Sequence, residues 1–194
     1  MKTPESIFPI SRAMREDLLS QHSHVFWLTG LSGSGKTTLA SLLEIRLFQQ
    51  GYKTMFLDGD AVRAGLCSDL GFTPAGRKEN IRRVAEVNKL MLNAGLIIIN
   101  AFVSPYQADR NAVRRLLPEG SFSELYIKAD LETCEQRDVK GWYAKARNGE
   151  LTDFTGISAP YEAPVHPELV IATDHQTVEQ SLEILCEYVF RVIK

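Results

Sequence analysis

The chain has 194 residues, 44% of them hydrophobic, and a formal charge of −2. That length and composition suit one domain with a sizeable core, and the near balance of charge argues against a general nucleic-acid binder, which carries a basic excess. The scattered Cys67, Cys134 and Cys186 and the four histidines at 22, 24, 166 and 175 form no ligand cluster, so no structural metal site is expected and the thiols suit a reducing cytosol.

Residues 1–24 read as a polar extension with no signal-peptide core, holding at most a short helix at 11–20. A single domain is expected from 25 to 194. Its first strand, 25–29, runs into Gly30, Leu31, Ser32, Gly33, Ser34, Gly35, Lys36 and Thr37, a complete G-x-x-x-x-G-K-S/T phosphate-binding loop, with Thr38 opening the helical pattern at 36–50. Glycines let successive amides turn inward, and the helix start adds its positive dipole end, so this stretch can hold a polyphosphate. Lys36 is expected at the β/γ-phosphates and Thr37 at Mg²⁺. A glycine-rich turn that merely joins strand to helix is the plainer alternative, but the lysine, the threonine and both flanks are in place.

A second strand at 53–57 ends in Asp58-Gly59-Asp60, on the sheet edge where ligands sit in open α/β folds. Asp58 or Asp60 can hold Mg²⁺ through water or accept a proton from an attacking hydroxyl, or one of them can cap a helix beginning near Ala61. Arg63 follows one turn later, and Arg77 and Asn80 share a face at the start of a helix at 77–93. Their forks and amides suit an anion, whereas Arg82 and Arg83 read as a solvated helix start. Phe72 is either a core plug or a stacking surface for a planar base.

The third strand, 96–101, contains the longest apolar run and meets Asn100 where mechanical ATPases usually carry a Walker-B acid. The guanine-selecting N-K-x-D pattern is absent as well, since Asn88-Lys89 is followed by Leu90-Met91. Ser104 closes the strand before Pro105, either as a ligand contact or as a turn cap. A helix at 107–117, a strand at 124–128 and a helix at 131–137 lead to the cations Arg137, Lys140, Lys145 and Arg147. The next stretch, 148–167, holds Pro160, Pro164 and Pro167 and reads as an irregular lid. A strand at 168–172 and a helix at 177–193, with Val178, Leu182, Leu185, Val189 and Val192 on one stripe, complete the pattern. No run is long enough to span a membrane. The expectation is an α/β, three-layer P-loop NTPase fold with a five-stranded, mainly parallel sheet and a lid in its C-terminal third.

Taken together, these segments resemble the adenylyl-sulfate kinase (APS kinase) family. The residues that carry the resemblance are GLSGSGKTT at 30–38, LDGDAVRAGL at 57–66, DLGF at 69–72, RKENIRR at 77–83, AFVSPY at 101–106, CEQRDVKGWYAKARNGE at 134–150, FTGIS at 154–158 and PYEAP at 160–164. The phosphate loop is shared with many NTPases, but the combination is not. The resemblance implies ATP on residues 33–38 and adenosine 5′-phosphosulfate (APS) on Asp60, Arg63, Phe72, Arg77, Asn80, Val103, Ser104, Lys140 and Phe154, with Phe72 and Phe154 sandwiching the adenine. It implies phosphorylation of the 3′-hydroxyl, with Lys36, Asp60 and Ser104 at the chemistry and Ser104 as a phosphoserine. It also implies a homodimer; from the residues themselves, Mg²⁺ is expected at Thr37 and Asp58 and the location is expected to be cytoplasmic. Direct in-line transfer from ATP needs no covalent step. The chain departs from the family pattern at Ala61, Ala64, Gly76, Trp142 and Ser158, none of which carries assigned chemistry. Rival readings are a sugar or nucleotide kinase, which has no reason to carry SPY or FTGI, and an inactive regulatory module, which predicts erosion of Lys36, Asp60 or Arg77.

Overall fold

Buried parallel strands need apolar residues on both faces, and the apolar runs of this chain provide them. The computed structural model describes residues 9–138 and 140–194. In chain order the elements are α1 (Arg12–Leu19), β1 (His24–Thr29), α2 (Lys36–Gln49), β2 (Thr54–Asp58), α3 (Gly59–Ala64), α4 (Pro74–Asn93) and β3 (Ile97–Ala101). Then come α5 (Gln107–Leu116), β4 (Phe122–Lys128), α6 (Leu131–Arg137), α7 (Trp142–Arg147), β5 (Leu169–Ala172) and α8 (Val178–Ile193). The five strands form one sheet in the order β2-β3-β1-β4-β5, every pair parallel.

Side chains alternate across β1. Phe26 and Leu28 join Leu39, Leu43 and Leu47 of α2 and Leu182, Leu185 and Val189 of α8 on one face. Val25 and Trp27 meet Ile81, Val84 and Leu92 of α4 and Val113 of α5 on the other. The chain therefore leaves β1 toward one layer and leaves β3 toward the opposite one. That divergence opens a crevice at the carboxyl edge of the sheet. Register places Leu28, Ala101 and Asp58 level with one another there, so the phosphate loop, the Ala101–Ser104 stretch and the acid pair emerge side by side.

Three local features depart from the pattern read in the sequence. Helix α4 starts three residues earlier than its apolar period suggests, because the Thr73 hydroxyl accepts from the Gly76 amide and Pro74 takes the first turn, where no N–H is missed. The six-residue α7 was not foreseen. It is held by a carboxylate outside it, Asp138, which accepts from the amides of Tyr143 and Ala144. The N-terminal region is joined to the sheet: Gln21 donates to the carbonyls of Lys53 and Gly95 and accepts from the Lys53 amide, stitching the entrances to β2 and β3.

Candidate active site

The phosphate loop is fixed from behind by parts of the chain distant in sequence. A Cβ on Gly30 would lie 2.3 Å from the Ile127 carbonyl, and one on Gly33 2.8 Å from that of Cys134, so only glycine permits these approaches. Tyr143 donates to the Ser32 carbonyl at 2.8 Å, and Thr173 to that of Ser34 at 2.8 Å. Arg137 spans the Gly33 and Thr173 carbonyls. Within the loop itself, the Ser34 amide donates to the Leu31 carbonyl at 3.1 Å.

Lys36 opens α2 and is 7% exposed, with Nζ donating to the Leu31 carbonyl at 2.7 Å. Burial, chiefly, pulls its ammonium down to about 8, and nearby Lys140 adds to this while Asp58 and Asp60 oppose it. Thr37 donates to Asp58 Oδ2 at 2.9 Å. The other oxygen of Asp58 accepts from the Asp60 amide, making Asp58 the N-cap of α3. Helix cap and metal-side candidate are thus one residue. A hydroxyl and a carboxylate oxygen side by side, at the foot of a phosphate loop, form a hard-oxygen pair that fits Mg²⁺.

A cavity of about 590 Å³ runs over the loop, lined by Lys36, Thr37, Asp58, Asp60, Val103 and Lys140 among others. Asp60 is exposed and ion-paired with Lys140 across it. Beyond Asp60 stand two arginines and an aromatic ring. Arg63 lies 4.4 Å from the centre of the Phe72 ring, and Arg77 5.8 Å. Arg77 also donates to the Phe72 carbonyl at 2.9 Å and to that of Asp153 at 2.6 Å, tying the Phe72 turn to the 148–167 segment. Phe72 is 56% exposed, which rules out a core plug. Phe154 packs edge-on to Tyr143, with ring centres 5.0 Å apart, in a small cluster with Leu31 and Leu131. Ser158, where the family pattern has aspartate, accepts from the Phe154 amide at 2.9 Å and supplies the oxygen that turn requires.

Two expected contact residues lie deeper. Asn80 is 3% exposed, and its Oδ1 has no hydrogen-bond partner among the described residues. Ser104 is also 3% exposed. Its Oγ accepts from the Trp27 indole at 3.0 Å and donates to Thr29 at 3.0 Å, while its backbone takes the left-handed conformation. No carboxylate or imidazole among the described residues touches that hydroxyl. Arg82 and Arg83 are bound to Glu79 and Asp69, away from the cavity. Of the other cations, Arg147 pairs with Glu135 and Lys145 lies over Trp142.

The arginine of α5, Arg110, passed unremarked in the sequence because an arginine on a polar helix reads as solvated. It is 1% exposed and bonded to β4 and to two loops of the site.

A family model described as adenylylsulphate kinase matches residues 22–172. The adenylyl-sulfate kinase of Oceanobacillus iheyensis is 54% identical over 179 residues, covering 92% of this chain and 90% of its own. That of Vibrio vulnificus is 52% identical over 178 residues, covering 92% and 86%. Among solved structures, an APS kinase of Mycobacterium tuberculosis in complex with AMPPNP and APS superposes with a TM-score of 0.79 at 40% identity, over 84% of this chain and 96% of that one. By sequence and fold, the chain belongs to the adenylyl-sulfate kinase family.

Proposed function

We propose that this chain transfers the γ-phosphoryl group of ATP to the 3′-hydroxyl of adenosine 5′-phosphosulfate, giving 3′-phosphoadenylyl sulfate and ADP. The observation that carries the reading is the position of Asp60. It lines the same cavity as Lys36 and Thr37 and lies one turn before Arg63, whose guanidinium covers Phe72. A phosphate donor on the loop and a purine acceptor at the aromatic ring therefore meet at this carboxylate.

In the transfer, the acceptor oxygen attacks the γ-phosphorus in line, the bond to the β–γ bridging oxygen breaks, and ADP leaves with that electron pair. Asp60 takes the hydroxyl proton, leaving Lys140 as substrate enters between them. Lys36 exchanges the Leu31 carbonyl for phosphate oxygens, and its charge stabilises the transferring group. Thr37 and Asp58 would hold Mg²⁺, which would supply positive charge against the phosphates. Arg63, Arg77 and Asn80 take the phosphosulfate end, Phe72 and Phe154 clasp the adenine, and Val103 and Ser104 shape the wall. We read Ser104 as a positioning group, consistent with its inward-turned hydroxyl.

The 148–167 segment serves as the lid, anchored to the acceptor side through Arg77. The free thiols Cys67, Cys134 and Cys186 suit a cytoplasmic protein, and the family resemblance supports a homodimer. A coupled ADP-release assay tests the reading. APS should drive turnover, and sugars and nucleoside monophosphates should not; preference for one of those acceptors would replace the reading.

A further inference from the structure

The buried guanidinium of Arg110 belongs to no catalytic group named so far, yet its donors reach three other parts of the chain as well as its own helix. Nε donates to Glu124 Oε1 on β4 at 2.5 Å. Nη1 donates to the Ser104 carbonyl at 2.7 Å. Nη2 donates to the Glu162 carbonyl and to Gln107 Oε1, each at 2.7 Å. Around it the same two loops are joined twice more. The Glu162 amide donates to the Pro105 carbonyl at 2.9 Å, and the Glu162 carboxylate accepts from the Gln107 amide at 2.7 Å. Tyr161, whose ring lies 5.9 Å from the guanidinium, shares a 3.1 Å hydrogen bond with Thr29, the last residue before the phosphate loop.

Burying a guanidinium against a carboxylate is a poor route to stability, since lost hydration offsets most of the attraction. What the planar fork does well is hold several oxygens at fixed directions. Here two of them are main-chain carbonyls, one on each side of a seam. Ser104 holds its backbone in the left-handed region, an unfavourable conformation for a non-glycine residue, and its carbonyl is the one Arg110 grips. The residue before it, Val103, lines the cavity, and its carbonyl accepts from Thr29 at 2.8 Å.

We infer that Arg110 is a positioning residue that fastens the 160–162 segment to the Val103–Ser104 wall, so that seating the acceptor's lid and shaping its wall become one event. The inference rests on the APS kinase reading of the same crevice. Tyr161 extends the seam to Thr29 and the root of the phosphate loop. The acceptor half of the site depends on the seam, whereas the donor half is held independently by Tyr143, Arg137 and Thr173.

The test compares wild type, Arg110→Lys and Tyr161→Phe by steady-state kinetics with APS, together with ATP affinity measured by calorimetry. Lysine keeps the charge beside Glu124 but cannot span both carbonyls. Arg110→Lys should lower kcat/KM for APS by about tenfold or more, as expected for misplacing a bound reactant, with ATP affinity within about twofold of wild type. Tyr161→Phe unpairs no buried charge and should lower the same parameter about threefold. Wild-type kinetics in a folded Arg110→Lys, or parallel losses for both substrates, would overturn the inference. If Arg110→Lys does not fold, Tyr161→Phe decides alone by the same criterion. Wild-type protein inert toward APS would instead defeat the APS kinase reading itself, a distinct result.

Discussion

At the scale of single residues, Asp60 and Lys36 give the sharpest predictions. Asp60→Asn keeps size and hydrogen bonding but cannot accept a proton. Turnover should fall by about a hundredfold or more, the usual range for losing a general base, while ATP affinity is nearly unchanged. A rate near wild type removes Asp60 from the mechanism. Lys36 titrates near 8 in the free protein, and phosphates bound beside it favour its charged form. ATP affinity should therefore be flat below pH 8 and fall above it, by up to about tenfold per unit, because binding must take up a proton there. Calorimetry between pH 7 and 9.5 reads this directly, and a flat profile to pH 9.5 contradicts it. Lys36 and Thr37 were legible in the sequence because consecutive residues build a phosphate loop. Arg110 and Tyr143 were not, because their roles come from carbonyls that only the folded chain brings to them.

At the scale of elements, β1, β4 and α8 share a buried string in which His24 Nε2 meets Ser123 Oγ at 2.8 Å and Ser123 meets the Tyr188 hydroxyl at 2.8 Å. Burial, with the charge of Arg12 adding to it, pulls His24 from its ordinary 6.5 down to about 4. Its folded value lies below its unfolded one, so between these two pH values the unfolded chain binds more protons. Stability should be full above pH 6.5 and decline as pH falls toward 4, by about 3 kcal/mol in all. Urea unfolding at pH 7 and pH 4.5 measures it. His24→Gln should flatten the difference, and an unchanged slope in that variant contradicts the assignment. The strands were legible because a parallel sheet covered on both faces demands unbroken apolar runs, as in Ile97-Ile98-Ile99. Helix α7 was hidden because six residues carry no period, and the carboxylate that starts it, Asp138, lies outside it.

At the scale of the whole molecule, one parallel sheet brings the ends of β1, β2 and β3 to a common edge, and the chemistry collects there. The alternation of strand and helix made this architecture readable, since right-handed crossovers leave few other ways to assemble it. The contacts that tie the 148–167 segment to the Phe72 turn and to Pro105 were not readable. They are Arg77 bridging the Phe72 turn to Asp153, and Glu162 meeting Pro105. The central claim is that this edge aims a 3′-hydroxyl at a γ-phosphate. Incubating the protein with ATP, Mg²⁺ and APS and locating the new phosphate by ³¹P NMR tests it most directly. A phosphate ester at the ribose 3′ position of the phosphosulfate is the predicted product. ATP left intact, or a phosphate placed on any other atom, would contradict the account.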